Sequence, residues 1–239
     1  MTRSGLQGAR KRVPQGNAAG AHPTVTAHAG SLHTTANSLE SFKAALAFPV
    51  DYLEADVRFT PDHDAYLSHD PLPPSLQRTA MRLEELLKLV APHAGVRLNL
   101  DMKEYTGISE MVGLVRRSGM SSRVLLTGIG RDAVSRVRGH VDGLPYLLNA
   151  HPNAWQRLTA AGAAAFARAV RATGALGLNV HHPFITRRLS RSLSAAGLSV
   201  SVWTVDGDRE MRRILRLPAD NITTNRVDTL LALRNGRAQ

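Results

Sequence analysis

Two segments carry a polar or charged side chain at every second position, and this period constrains the fold more than any other feature. Tyr52, Glu54, Asp56 and Arg58 alternate with Leu53, Ala55, Val57 and Phe59; Arg97, Asn99, Asp101 and Lys103 alternate with Val96, Leu98, Leu100 and Met102. A period of two belongs to a β-strand, so each segment predicts one apolar face and one charged face. A strand wet on one side gives the same pattern, and alternation alone leaves a solvated face open. Carboxylates turned to an interior instead need a cation, because an unpaired buried charge is costly.

The rest of the chain narrows the choice. From Thr24 onward, strand-like and helix-like pieces alternate across short joints, the pattern of parallel βα units. Strands are predicted near 24–28, 52–59, 96–103, 124–127, 145–150, 178–182, 199–205 and 221–224. A brief piece at 65–69 reads as a hairpin arm after the second strand, reached through a turn at Pro61, Asp62, His63 and Asp64. Helices are predicted from Asn37, read as an N-cap, through Leu46, and around Leu83, Leu86, Leu87 and Val90. Eight main units close most economically as a (β/α)8 TIM-type barrel with active groups at the carboxyl ends of the strands. An open doubly wound sheet fits less well, since no glycine-rich phosphate loop follows the first strand.

At 239 residues the chain suits a single barrel domain over 23–239 preceded by a flexible basic tail over 1–22. That tail holds Arg3, Arg10, Lys11 and Arg12 with no acidic residue; removing these four from the net +11 leaves +7 on the remainder. A basic body suits an anionic ligand. Aromatics make up 5% of the chain and do not interleave with basic residues, which argues against nucleic acid as a partner. Cysteine is absent, so disulfides and thiolate metal sites are excluded, and a reducing compartment fits. With no secretory signal and no apolar run of membrane-spanning length, the expectation is a cytoplasmic protein without integral membrane association. The number of subunits is not encoded in any of these features.

On such a barrel the charged positions fall at one mouth. His28 closes the first strand, Glu54 and Asp56 finish the second, Asp101 and Lys103 finish the next, and His69 ends the arm. In order, the chain shows His28-Ala29-Gly30, then Ala36-Asn37-Ser38-Leu39-Glu40-Ser41-Phe42, Glu54-Ala55-Asp56-Val57-Arg58 and His69-Asp70-Pro71. Asp101-Met102-Lys103, Trp203-Thr204-Val205 and Thr224-Asn225 follow. This series resembles the glycerophosphodiester phosphodiesterases from about Thr24 to Leu231.

The resemblance implies a barrel enzyme that hydrolyses glycerophosphodiesters to glycerol phosphate and an alcohol. It implies Glu54, Asp56 and Asp101 as ligands to one divalent cation, Ca²⁺ or Mg²⁺, both of which prefer oxygen donors. It further implies His28 and His69 as general base and acid, and Lys103 as a phosphate contact. A phospholipase D-like lyase that stops at a cyclic phosphate, or a barrel that binds phosphate esters without turnover, would use the same residues. Three departures stand out: Ala29 replaces a phosphate-contacting arginine, Ala36 a glutamate, and Asn225 an aspartate; Asp101 is also the shorter acid at its position. Arg58, on the face of Glu54 and Asp56, is the candidate to replace the missing phosphate contact. Trp203, His181 and His182 end strands at the same mouth and are candidate substrate contacts, and Asp70 either orients His69 or caps a turn. Five further histidines, His33, His63, His93, His140 and His151, read as solvated.

Overall fold

The computed structural model describes residues 22–141 and 143–236, so the tail predicted over 1–22 lies outside the described residues apart from His22. Nine strands form one sheet: β1 (Thr24–Ala27), β2 (Tyr52–Phe59), β3 (Ala65–Leu67), β4 (Arg97–Met102), β5 (Val124–Ile129), β6 (Tyr146–Asn149), β7 (Gly177–His181), β8 (Ser199–Trp203) and β9 (Asn221–Thr224). Eight are parallel, and the order β1-β9-β8-β7-β6-β5-β4-β2 closes on itself through β1–β2 pairing. The ninth, β3, is antiparallel to β2 and is the predicted arm. The helices are α1 (Leu39–Leu46), α2 (Pro74–Gln77), α3 (Leu83–Val90), α4 (Ile108–Arg117), α5 (Val134–Val137), α6 (Ala154–Leu158), α7 (Ala160–Ala172), α8 (Arg187–Ala195), α9 (Asp208–Leu215) and α10 (Val227–Asn235). The (β/α)8 barrel is therefore present, with helices covering its outer face.

Alternation explains the layering. Leu53, Ala55, Val57, Leu98, Leu100 and Met102 turn outward into the apolar layer beneath the helices, where each is nearly inaccessible to water. Each of these side chains apart from Ala55 contributes about 1.5–3 kcal/mol by leaving solvent. The inward positions differ along the axis. Tyr52, Leu125 and Leu147 plug the amino end of the barrel. On the β1, β8 and β9 side the interior is polar and paired: Thr24 and Thr26 hydroxyls donate to Asn221 Oδ1 at 2.9 and 2.8 Å, and Asn221 Nδ2 donates to Ser201 Oγ at 3.0 Å. Buried polar groups are tolerated because they are paired in this way.

The predicted Asn37 cap is corrected. Ser38 is the N-cap of α1, its hydroxyl accepting from Ser41 N, whereas Asn37 has φ of 58° and turns inward. Two neighbouring residues of N-cap type compete here, and a distant partner decides between them.

Candidate metal and catalytic site at the barrel mouth

The register of β2 on β4 places Asp56 beside Asp101 and Glu54 beside Asn99. Glu54, Asp56 and Asp101 each offer a carboxylate oxygen, and these oxygens lie within 4.8 Å of one another. Each is held by a specific donor. Ala29 N donates to Glu54 Oε2 at 2.8 Å. Asn37 Nδ2 donates to Asp56 Oδ2 at 2.7 Å, while Asp56 N returns a bond to Asn37 Oδ1 at 3.0 Å. Thr127 Oγ1 lies 2.8 Å from Asp101 Oδ1 and 2.9 Å from Asn99 Oδ1. Gly128 permits this approach of β5: its φ is 75°, and a Cβ there would stand 2.3 Å from the Met102 carbonyl oxygen.

One cation faces three anions. Lys103 Nζ sits 2.9 Å from Asp56 Oδ1 and 2.6 Å from Asp101 Oδ2. Burial would lower the lysine's pKa, but the two carboxylates outweigh it and keep the ammonium charged. Glu54 is left without a cation: burial, then Asp56 and Asp101, push its carboxyl well above the usual range. For Asp56, burial acts upward, and the Lys103 ammonium and the Asn37 amide prevail to hold it low. An all-oxygen donor set carrying surplus negative charge fits a hard divalent cation. Asn37 supports one of its ligands, so Asn37→Ala is expected to weaken cation binding about 10–100-fold, as loss of ligand support commonly does. A calorimetric cation titration reads this, and an unchanged affinity would remove Asn37 from the site.

The cavity at the mouth measures about 380 Å³, and Glu54, Asp101, Lys103, Trp203 and both histidines, His28 and His69, line it. His28 Nε2 stands 3.9 Å from Glu54 Oε2, and its Nδ1 is buried without a hydrogen-bond partner. Burial lowers the His28 pKa, opposed by the Asp56 and Asp206 charges, so the ring is neutral near pH 7. His69 is different. Its side chain is 65% exposed, and Nδ1 lies 2.9 Å from Asp70 Oδ1, the orienting partner predicted for it. A wider groove of about 700 Å³ shares His69 as a wall and is lined also by Ala36, Leu39, Leu72 and Met81.

Arg58 departs from its predicted task. Its Nε and Nη2 donate to the His69 carbonyl at 3.0 and 2.9 Å, and Nη1 reaches Glu104 Oε2 at 3.3 Å. The guanidinium is spent on the arm and does not line the cavity. The pairing Arg58↔Tyr66 shows why: at the end of β2 the neighbouring chain is the antiparallel arm, and a long side chain meets its backbone first. Trp203 forms cavity wall as predicted for a contact, whereas His181 stacks on Trp203 at 5.2 Å and is absent from the lining. His151, read as solvated, is exposed but stands 5.0 Å from the Phe184 ring.

Four supporting residues escaped the sequence reading. Thr127 braces Asp101, with Asn99 Oδ1 as a second acceptor near the same hydroxyl, and Glu104 fixes Arg58 and accepts from Phe59 N at 2.5 Å. Asp206 accepts from Asn225 N and Nδ2, both at 2.8 Å. That bond accounts for Asn225: an aspartate there would set a second carboxylate against Asp206. Asn99 alone carried a signal, its place in the alternating face of β4.

Three carboxylates, a lysine and two imidazoles gather at the carboxyl mouth of a parallel barrel, the end at which barrel enzymes carry their active sites, and the carboxylates could hold a metal ion. Comparison with known proteins makes the class specific. Residues 18–86 and 80–229 match the glycerophosphoryl diester phosphodiesterase family. A Mycobacterium tuberculosis protein named "Probable glycerophosphodiester phosphodiesterase 2" is 29% identical over 240 aligned residues, covering 85% of this chain and 88% of its own. A crystal structure of a glycerophosphodiester phosphodiesterase from Parabacteroides distasonis superposes with a TM-score of 0.74 at 19% identity, covering 91% of this chain and 99% of that one. An Oleispira antarctica phosphodiesterase solved with its product sn-glycerol-3-phosphate superposes with a TM-score of 0.71 at 18% identity, over 88% and 96% of the two chains. The chain belongs to the glycerophosphoryl diester phosphodiesterase family, and its reaction class is hydrolysis of a phosphoric diester.

Proposed function

We infer that this protein hydrolyses glycerophosphodiesters to glycerol phosphate and an alcohol, with Glu54, Asp56 and Asp101 holding one Mg²⁺ or Ca²⁺. The observation that carries the reading is the convergence of those three carboxylates within 4.8 Å of one another, with Asp56 buried behind Glu54 and Asp101, which line a cavity shared with His28 and His69. The glycerol phosphate bound to the Oleispira antarctica enzyme supports the product class. When bound, a divalent cation supplies charge neutralisation at the phosphoryl oxygens. Lys103 adds a second positive charge at the same wall, so that an anionic diester can approach a nucleophile. His28, neutral by burial, accepts the proton of the substrate's own glycerol hydroxyl as that oxygen attacks phosphorus and the bond to the alcohol breaks, and water then opens the cyclic phosphate to glycerol phosphate. His69, exposed and oriented by Asp70, delivers a proton to the departing alkoxide. A cytoplasmic setting belongs to the same reading, since a chain without cysteine is indifferent to a reducing compartment. Among the described residues, no helix is long and apolar enough to cross a membrane.

Incubation with glycerophosphocholine and Mg²⁺ or Ca²⁺, followed by phosphorus NMR, tests the function. Glycerol phosphate is the expected product. Accumulation of a cyclic phosphate would make the protein a lyase, and binding without turnover would make it a receptor.

Arg58 belongs to the same reading as a positioning residue, because it fastens the backbone of His69 to the strand bearing Asp101 and Lys103 through Glu104. Displacing a reacting group by about 1 Å costs on the order of a hundredfold in rate. Arg58→Ala is therefore expected to lower kcat about 10–100-fold on an alkyl diester and far less on a p-nitrophenyl ester, whose leaving group needs no proton. Arg58→Lys restores little, because an ammonium cannot fork onto a carbonyl and a carboxylate. A rise in KM with kcat intact on both substrates would instead make Arg58 a phosphate contact.

A further inference from the structure

Residues 143–205 contain six arginines and no aspartate or glutamate. The six are Arg157, Arg168, Arg171, Arg187, Arg188 and Arg191, carried on α6, α7 and α8, which pack on one another along one side of the barrel. All but Arg157 are exposed, and none of those five forms an ion pair among the described residues. A surface of one sign, with no acidic residue on the helices that carry it, attracts anions over distances beyond contact.

The same layer exposes apolar surface. Trp155 is 52% exposed and Leu158 63%, two of the four large hydrophobic side chains so exposed among the described residues. They are three positions apart on α6 and so share a face. Their place follows from the fold. Helix α6 leaves the carboxyl end of β6 and α8 that of β7, so the first turns of both stand at the mouth. Thr186 Oγ1, the cap of α8, donates to the Arg157 carbonyl at 2.8 Å. The Arg157 guanidinium lies 5.4 Å from the centre of the Phe184 ring. Arg187 and Arg188 then occupy the first turn of α8, where the helix dipole disfavours cations and no acidic residue compensates. Helix stability does not select that arrangement.

We propose that this face docks on an anionic lipid bilayer, with Trp155 and Leu158 entering the headgroup region and the arginines meeting anionic headgroups. Indole prefers the boundary between apolar and wet surroundings, and a basic face beside exposed Trp and Leu is the make-up of interfacial helices. A nucleic acid would use the arginines and leave Leu158 without a role. Docking in this orientation sets the mouth of the barrel beside the membrane surface. The proposal does not depend on the reaction assigned above.

The test mixes full-length protein with vesicles of phosphatidylcholine alone or of phosphatidylcholine with phosphatidylglycerol. Sedimentation with the anionic vesicles only, weakened by salt, is expected. Each arginine near an anionic surface adds roughly a fivefold factor, so Arg187→Gln/Arg188→Gln/Arg191→Gln should lower the vesicle partition constant about a hundredfold. Trp155→Ser/Leu158→Ser should lower it about tenfold or more. Both variants should keep the circular dichroism spectrum and melting temperature of the wild type, which shows that they fold. Absence of wild-type binding to anionic vesicles overturns the proposal. So does wild-type binding by both variants, which assigns attachment to the basic tail. Duplex DNA binding that matches vesicle binding, lost with the arginines but untouched by Trp155→Ser/Leu158→Ser, overturns it in favour of nucleic acid.

Discussion

His28→Ala should lower kcat on glycerophosphocholine about 10²–10⁴-fold, the range attached to a single acid or base, while the melting temperature stays near that of the wild type. The fold loses little because the His28 side chain makes no hydrogen bond: Nδ1 is unpartnered, and Nε2 stands 3.9 Å from Glu54. His69→Ala should act with similar force on alkyl diesters and weakly on a p-nitrophenyl ester, since only the alkoxide requires a proton on departure. The contrast between substrates separates the two imidazoles. An equal loss on both substrates in His69→Ala would deny it the part of acid, and full activity in either variant would take that histidine out of the reaction.

Glu54→Gln should produce effects of opposite sign with and without a divalent cation. In the metal-free protein, burial and two neighbouring carboxylates raise the Glu54 pKa above its unfolded value. The native state then holds that proton more readily than the unfolded chain does. The associated stability is fully present below about pH 4.5 and is lost as pH rises through the raised folded value. Glutamine removes the titration and can still accept from Ala29 N. The metal-free variant should therefore match the wild type in acid and melt higher at pH 7–8. Cation reverses the ranking. At a hundredfold excess over Kd, a ligand stabilises the native state by about 2.7 kcal/mol. In a chain of this size, that raises Tm by roughly 5–10 °C. The wild type should show this rise and Glu54→Gln should not, with turnover lost in parallel. Melting curves across pH, with cation and with chelator, decide it. A full cation-induced rise in Glu54→Gln would place the ion elsewhere.

Parts of this site were legible because they depend on strand period. Once Glu54 and Asp56 share a face of β2, and Asp101 faces the same way on β4 with Lys103 just past its end, parallel adjacency in a barrel brings them together. His28 and His69 were legible as strand and arm ends. Asn37 was misread because its type and position satisfy a local rule equally well. What distinguishes it from Ser38 is a left-handed backbone and a bond to Asp56, nineteen residues away, neither of which leaves a local signature. Arg58 shows the limit of facial periodicity: the period fixes the direction of Cβ, and a guanidinium several bonds further out goes where acceptors are. The bracing by Thr127 and the pairing of Asp206 with Asn225 join elements distant in sequence, so no spacing rule could reveal them.

The central claim is that one divalent cation is gripped by Glu54, Asp56 and Asp101. Calorimetric titration of the metal-stripped protein with Mg²⁺ and with Ca²⁺ tests it most directly. The expected result is one site per chain, abolished by Asp56→Asn and by Glu54→Gln, with an affinity that falls as pH drops and a proton competes for Glu54. Binding of equal strength in both variants, or none in the wild type, would contradict the account.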